Sequence, residues 1–438
     1  MRILSAPLPL GLAACLLACA GFACIPVAAR AVASERKPAK KPISYDAYDG
    51  WKSLRDASLS RNGEWLVYAL TPQEGDGQVV ARNLKTGKEW RHGRGQNPVI
   101  SADGRYVAFA VAPAKADVDK AKKEKKKPEE MPKAGLGVMD LSTGKVETLE
   151  RVKSFRLAKE GGRFLAALLE KPEDKKPEDK KAEAKADDED QRARPAAGPS
   201  DPKDAKKKEP GTDLVIWGLG TATRHTVPEV AEYLWNRDGS WLAYAVSVKE
   251  APKAKEGAKE APKEAKAAFS DPATEGVYLW RAAQGQATAL LTGAGAYKGL
   301  ASDEGGSRLA FLSNRDEAKA EAPSFKLYGW RDGEGSATEL ATARSAGMPD
   351  GWAPSEHGRL TFSKDGQRLF FGTAPAPKAE PKGAPDPVKV DLWHWKDAEL
   401  QPMQKVRSEE EKKRSFRALV HLADKRFYQL GSEDLPDI

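Results

Sequence analysis

The stretch Ser101-Ala102-Asp103-Gly104-Arg105-Tyr106-Val107-Ala108-Phe109 decides the fold. Asp-Gly supplies the positive backbone angles that a two-residue hairpin turn needs. An apolar strand follows the turn, and Asn97-Pro98-Val99-Ile100-Ser101 supplies a strand before it. The same turn and strand recur along the chain. The other copies are Asn62-Gly63-Glu64-Trp65-Leu66-Val67-Tyr68, Gly161-Gly162-Arg163-Phe164-Leu165-Ala166-Ala167, Asp238-Gly239-Ser240-Trp241-Leu242-Ala243-Tyr244, Gly305-Gly306-Ser307-Arg308-Leu309-Ala310-Phe311 and Asp365-Gly366-Gln367-Arg368-Leu369-Phe370-Phe371. Asp424-Lys425-Arg426-Phe427-Tyr428-Gln429-Leu430 is a weaker seventh copy.

A third strand follows later in each repeat. It reads as Leu136–Leu141, Leu214–Trp217, Val277–Trp280, Phe325–Trp330 and Val390-Asp391-Leu392-Trp393-His394-Trp395. Second turns at Lys85-Thr86-Gly87-Lys88 and Ser142-Thr143-Gly144-Lys145 lead to a fourth strand, as in Val146-Glu147-Thr148-Leu149. Gly63 and Gly104 lie 41 residues apart, matching a propeller blade of roughly 40–45 residues. The expected fold is all-β: a β-propeller of six to seven four-stranded blades with disordered charged insertions. A β-solenoid would have shorter repeats, and a β-sandwich would not repeat one turn and strand.

The insertions explain the polar composition, with 40% hydrophobic and 31% charged residues in 438. Tracts rich in Lys, Glu, Ala, Pro and Asp run near 114–133, 171–211, 250–267 and 374–387. Such segments bury too little apolar surface to offset the entropy of ordering. Each falls between a second and a third strand, so all of them fringe one face of the propeller. The net charge of +8 is mixed closely with acidic residues, so no nucleic-acid surface is expected.

The N-terminus reads as a signal peptide over 1–33. Arg2 precedes an apolar run from Leu8 to Val27, and Ala31-Val32-Ala33 offers a cleavage site. A linker over 34–44 then leads into a propeller over 45–438. Cys15, Cys19 and Cys24 all lie in the leader, so the exported protein has no disulfide. Leu12-Ala13-Ala14-Cys15 and Leu16-Leu17-Ala18-Cys19 also resemble lipobox motifs, which leaves a lipid anchor as the alternative to soluble export. No later stretch is expected to span a membrane.

No catalytic, cofactor-binding or metal residue is expected. His92, His225, His357, His394 and His421 form no His-x-x-x-His or His-Glu-x-x-His pair. On its expected strand, His394 faces away from Trp393 and Trp395. No Gly-x-Ser-x-Gly nucleophile elbow occurs, and Gly305-Gly306-Ser307-Arg308-Leu309 lacks the final glycine. Asp103, Asp238 and Asp365 recur at one turn position, which backbone chemistry explains. Trp65, Trp217, Trp241, Trp280 and Trp330 recur at strand ends, which favours packing between blades. Arg315, in Phe311-Leu312-Ser313-Asn314-Arg315-Asp316, is the one side chain singled out for an anionic group such as a peptide carboxylate.

With the repeats placed, the chain resembles the N-terminal propeller of prolyl-oligopeptidase-family serine peptidases and the related TolB-type propellers. The resemblance rests on the repeat copies, on Tyr45-Asp46-Ala47-Tyr48-Asp49-Gly50-Trp51 and on Phe311–Asp316. It implies a propeller that filters access to a catalytic cavity beside an α/β-hydrolase domain. The hydrolase motif is missing here, so no catalytic residue carries over. Few residues follow Leu430, so the last blade is expected to be incomplete: either the ring closes with six blades plus a borrowed strand, or the chain is the front part of a longer peptidase, which is the preferred reading. The expected partner is a peptide or protein ligand, a hydrolase domain or an envelope protein. The second reading is a TolB-like periplasmic interaction scaffold.

Overall fold

The structure is a computed structural model. It describes Tyr45, Tyr48 and residues 50–171, 210–221, 223–248, 274–378 and 390–435. The signal peptide over 1–33, the linker over 34–44, the tract over 250–267 and nearly all of 171–211 lie outside the described residues.

Six antiparallel units follow one another among the described residues. The first is Lys52–Leu59 (β1), Trp65–Pro72 (β2), Gln78–Asn83 (β3) and Glu89–Gly93 (β4). The second is Gly95–Ile100 (β5), Tyr106–Val111 (β6), Gly135–Asp140 (β7) and Val146–Leu149 (β8). The third is Val152–Leu157 (β9), Phe164–Leu169 (β10), Thr212–Gly218 (β11) and the start of Arg224–Trp235 (β12). β12 then runs on as the first strand of the fourth unit, with Trp241–Val246 (β13), Gly276–Arg281 (β14) and Gln286–Thr292 (β15). The fifth is Tyr297–Ser302 (β16), Arg308–Ser313 (β17), Lys326–Arg331 (β18) and Thr338–Ala341 (β19). In the sixth, Trp352–Pro354 (β20) and Thr361–Phe362 (β21) share the first position. They pair with Arg368–Pro375 (β22), which is followed by Phe416–His421 (β23) and Phe427–Gln429 (β24).

Five apolar cores lie between successive units, so each middle sheet is buried on both faces. Along β6, Val107 and Phe109 pack on Val67, Ala69 and Val79 of the first unit. Tyr106 and Ala108 point the other way, onto Leu165, Ala167 and Trp217 of the third. The same alternation joins units three to four through Leu214, Ile216, Tyr233 and Trp280. It joins four to five through Trp241, Leu279, Phe311 and Trp330, and five to six through Leu312, Leu327, Leu369 and Val420. Period-two side chains with both faces covered explain why β6 or β13 reads as an unbroken apolar run. This radial stacking of four-stranded meanders makes the chain an all-β propeller. Trp65, Trp217, Trp241, Trp280 and Trp330 all sit in these cores.

The sixth unit corrects the sequence reading. Its third strand is Phe416–His421, and Val390–Trp395 forms no strand. The expected seventh copy is the turn and fourth strand of this same unit, which therefore has all four strand positions filled. His421-Leu422-Ala423-Asp424-Lys425-Arg426 superposes in sequence on Asn83-Leu84-Lys85-Thr86-Gly87-Lys88 and on Asp140-Leu141-Ser142-Thr143-Gly144-Lys145. The backbone bonds match: Leu84, Leu141 and Leu422 each donate N–H to the residue before the second strand. Lys425 takes φ 55°, where Gly87 and Gly144 take 72° and 78°. A lysine in a glycine position disguised the turn.

The first insertion also differs from expectation. Lys115–Lys123 forms helix α1 and buries Ala121. The Lys115 N–H donates to Asp76 Oδ1 at 3.0 Å, and Lys115 pairs with Glu74. A loop of the first unit thus caps and anchors an Ala/Lys-rich segment of good helix propensity. Of the tract over 374–387, β22 takes residues up to Pro375, and 379–387 lie outside the described residues.

Candidate functional site: the turn face and the insertion face

In an up-and-down unit, the first-to-second and third-to-fourth turns share one face, and the second-to-third loops share the other. On the turn face, successive turns touch. A Cβ on Gly104 would lie 3.7 Å from Asn62, one on Gly162 2.7 Å from Asp103, one on Gly161 2.6 Å from the Asp238 carbonyl and one on Gly306 3.2 Å from Asn236. In every unit but the third, the described turn is locked by one side chain. Ser60, Ser101 and Ser363 Oγ accept from the N–H of Trp65, Tyr106 and Arg368 at 2.9, 2.9 and 3.0 Å. Asn236 and Asp303 do the same for Trp241 and Arg308. Asp103, Asp238 and Asp365 accept N–H groups two residues on, so their repetition serves the backbone.

A pocket of about 420 Å³ opens on this face between units three and four. Its walls are Glu160-Gly161-Gly162-Arg163 from one turn, Asp238-Gly239-Ser240 from the next, and Ala282-Ala283 from the third-to-fourth turn of unit four. Phe164 and Trp235 line it, with rings 6.5 Å apart and inclined by 25°. Trp280 stands edge-on to both, at 5.1 and 6.0 Å. Trp235 is 6% exposed, and its indole N–H is buried without an acceptor. Burial opposes ionisation of Asp238, but bonds from Ser240 and Asn236 hold its carboxyl below the usual range. Glu160 is paired with Arg237 Nε at 2.7 Å, and Arg237 Nη1 also meets Glu304 at 2.5 Å. The Arg163 guanidinium is exposed and has no ion pair or hydrogen bond among the described residues, and its carbonyl accepts the Leu219 N–H at 2.7 Å. Sequence reasoning missed this pocket, because its walls, from Glu160 to Ala283, come from three segments far apart in the chain.

The insertion face carries a different feature. After β22 the chain passes through Val390–Trp395 into helix α2, Gln401–Glu411, which buries no residue. Trp393, Trp395, Leu400, Met403 and Val406 are 47–85% exposed. Lys405 holds the two halves together through Asp391 Oδ2 at 2.6 Å. His394 stacks on Trp395 at 6.1 Å, because the segment is not the strand that would have turned them apart.

The other singled-out side chains are engaged locally and lie apart. Arg315 Nη1 donates to the Thr292 carbonyl at 2.9 Å, its Nε donates to Asp316 at 3.2 Å, and the guanidinium lies 5.9 Å from the Tyr328 ring. It braces the fifth unit. His92 packs on Phe109, His225 lies near Trp280, and His421 stands edge-on to Tyr428. The structure brings none of the five histidines together, and no group of three metal-ligating side chains occurs among the described residues. No helix among them is long and apolar enough to cross a membrane.

The chain is similar in fold to peptidase propellers and to TolB. The β-propeller domain of the trilobed protease from Pyrococcus furiosus matches with 17% identity and a TM-score of 0.34, over 74% of this chain and 78% of that one. A prolyl endopeptidase matches with 15% identity and a TM-score of 0.35, and this chain spans 39% of its length. TolB from Acinetobacter baumannii matches with 10% identity and a TM-score of 0.32, over 82% of this chain and 60% of that one. These likenesses concern the fold alone, and the propeller architecture stands on the strand pairings and inter-unit cores. No family model and no curated protein matches the chain.

Proposed function

We propose that this chain is an exported, non-catalytic propeller that docks a protein partner, as a substrate-gating module beside a hydrolase. The supporting observation is the concentration of exposed apolar side chains between residues 393 and 406 of the sixth unit. Trp393 and Trp395 stand 64% and 85% exposed, and Leu400, Met403 and Val406, a few residues on in the chain, are exposed as well. Contiguous exposed apolar side chains mark protein-interaction sites more often than inert surface. Trp is also enriched among the residues that dominate interface energies. This segment lies on the insertion-bearing face, away from the short turns.

The test uses residues 34–438, crosslinked in an envelope extract, beside a Trp393→Ser/Trp395→Ser variant. Recovery of an α/β-hydrolase by the native chain, and its loss in the variant, supports gating. A recurring envelope protein without hydrolase character would replace gating with the TolB-like scaffold. Peptidase activity in the purified chain itself would refute the non-catalytic reading.

A further inference from the structure

We propose that the pocket between units three and four binds the free C-terminal end of a peptide with an apolar last residue. This site is on the turn face and stands independently of the docking segment on the opposite face.

Three observations converge on that chemistry. First, Phe164 and Trp235 line the pocket with Trp280 packed edge-on to both. Such a wall takes an apolar or aromatic side chain. Second, the Arg163 guanidinium on the rim has no partner among the described residues, whereas Arg237 of the neighbouring turn is held by Glu160 and Glu304. A guanidinium presents a planar fork that matches a carboxylate with two parallel bonds. Third, much of the remaining wall is glycine and alanine: Gly161, Gly162, Gly239, Ala282 and Ala283, beside the polar Glu160, Asp238 and Ser240. Side chains at Gly161 and Gly162 would strike the Asp238 carbonyl and the Asp103 carboxyl, so the turns pack closely and leave main-chain groups along the wall. A peptide backbone fits such a wall, since both sides offer N–H and C=O groups.

The volume is consistent with this ligand. About 420 Å³ lies within the ordinary range of small-molecule sites, roughly 300–1,000 Å³. It suits the last one or two residues of a chain, not a folded domain. Ionised Asp238 on the wall, and Glu160 beside it even though Arg237 holds it, disfavour a ligand that brings a second carboxylate. The carboxylate belongs at Arg163, and the last side chain belongs on Phe164 and Trp235.

The experiment measures binding of N-acetyl-Ala-Phe to residues 34–438 by calorimetry, beside the same dipeptide as its C-terminal amide. The carboxylate form is expected to bind, and the amide to bind roughly ten- to a hundredfold more weakly, the usual range for losing a charge-assisted hydrogen bond. Arg163→Gln should lose affinity for the carboxylate by a similar factor, with an unchanged melting curve. Ala283→Trp, which fills the pocket without removing a charge, should abolish binding of both forms. Trp393→Ser/Trp395→Ser should leave it unchanged. Equal binding of acid and amide, indifference to Arg163→Gln, or no binding at millimolar dipeptide would each overturn the proposal. Binding of a neutral oligosaccharide that survives Arg163→Gln, with no dipeptide binding, would reassign the aromatic wall to sugar stacking and overturn it as well.

Discussion

Gly87→Ala and Gly144→Ala make the same change at the same turn position in neighbouring units. Both glycines have φ near +75°, where an L-residue pays about 1–2 kcal/mol. The unfolded chain loses some freedom when glycine becomes alanine, which returns about 0.5–1 kcal/mol. A net loss of about 1 kcal/mol is expected at Gly87, since a Cβ there meets nothing within 4 Å. At Gly144 the Cβ would lie 2.5–2.7 Å from three atoms of the Trp90 ring. Trp90 belongs to the first unit, and its indole N–H donates to the Leu141 carbonyl at 2.9 Å. Displacing the ring adds about 1–3 kcal/mol of overpacking and weakens a bond of about 1 kcal/mol. Gly144→Ala should therefore cost about 2–3 kcal/mol more than Gly87→Ala. Urea titration followed by tryptophan fluorescence measures both. Equal losses would mean that Trp90 does not sit on the turn at 141–144, and the packing of the first unit on the second would be wrong.

Lys425→Gly should stabilise the chain by about 0.5 kcal/mol, since Lys425 holds a left-handed conformation at φ 55°; a lower urea midpoint would contradict the turn assigned there. Arg368 and His421 face each other across β22 and β23. Arg368→Cys with His421→Cys, in a chain whose Cys15, Cys19 and Cys24 are replaced by serine, should oxidise to an intramolecular disulfide, and failure would return the third strand to Val390–Trp395. Glu232 reaches from β12 to accept the N–H groups of Gly299 and Leu300 at 2.8 and 3.1 Å. Burial outweighs these bonds and raises its pKa above the ordinary 4.5. The native state then holds a proton that the unfolded state releases, so this group's contribution is full below 4.5 and is lost as pH rises through the raised value. Glu232→Gln lacks that dependence, and the stability of the native chain relative to the variant should fall as pH rises through this window. A constant difference from pH 4 to 8 would refute the raised pKa.

The sequence by itself determined the repeat and hence the propeller. Turns such as Asp103-Gly104 demand backbone angles that few residues adopt, so their chemistry is written locally. The strands between them are buried on both faces, so they stand out as apolar runs. The constant place of the insertions after the second strand also follows from the repeat alone. Tertiary structure decided what local chemistry left ambiguous. Val390–Trp395 reads as a strand, yet it is Phe416–His421 that pairs with β22 and sets Ala418 and Val420 in the core shared with the fifth unit. Lys425 adopts a glycine conformation because the surrounding pairing imposes it. β12 serves two units, which no local signal marks. The pocket is further still from the sequence: Glu160 and Arg163, Asp238, and Ala283 lie on three turns and Trp235 on β12, and they meet only because units three and four stack on each other. Hairpin chemistry acts over a few residues and can be read along the chain, whereas a site between sheets exists only once the sheets have packed.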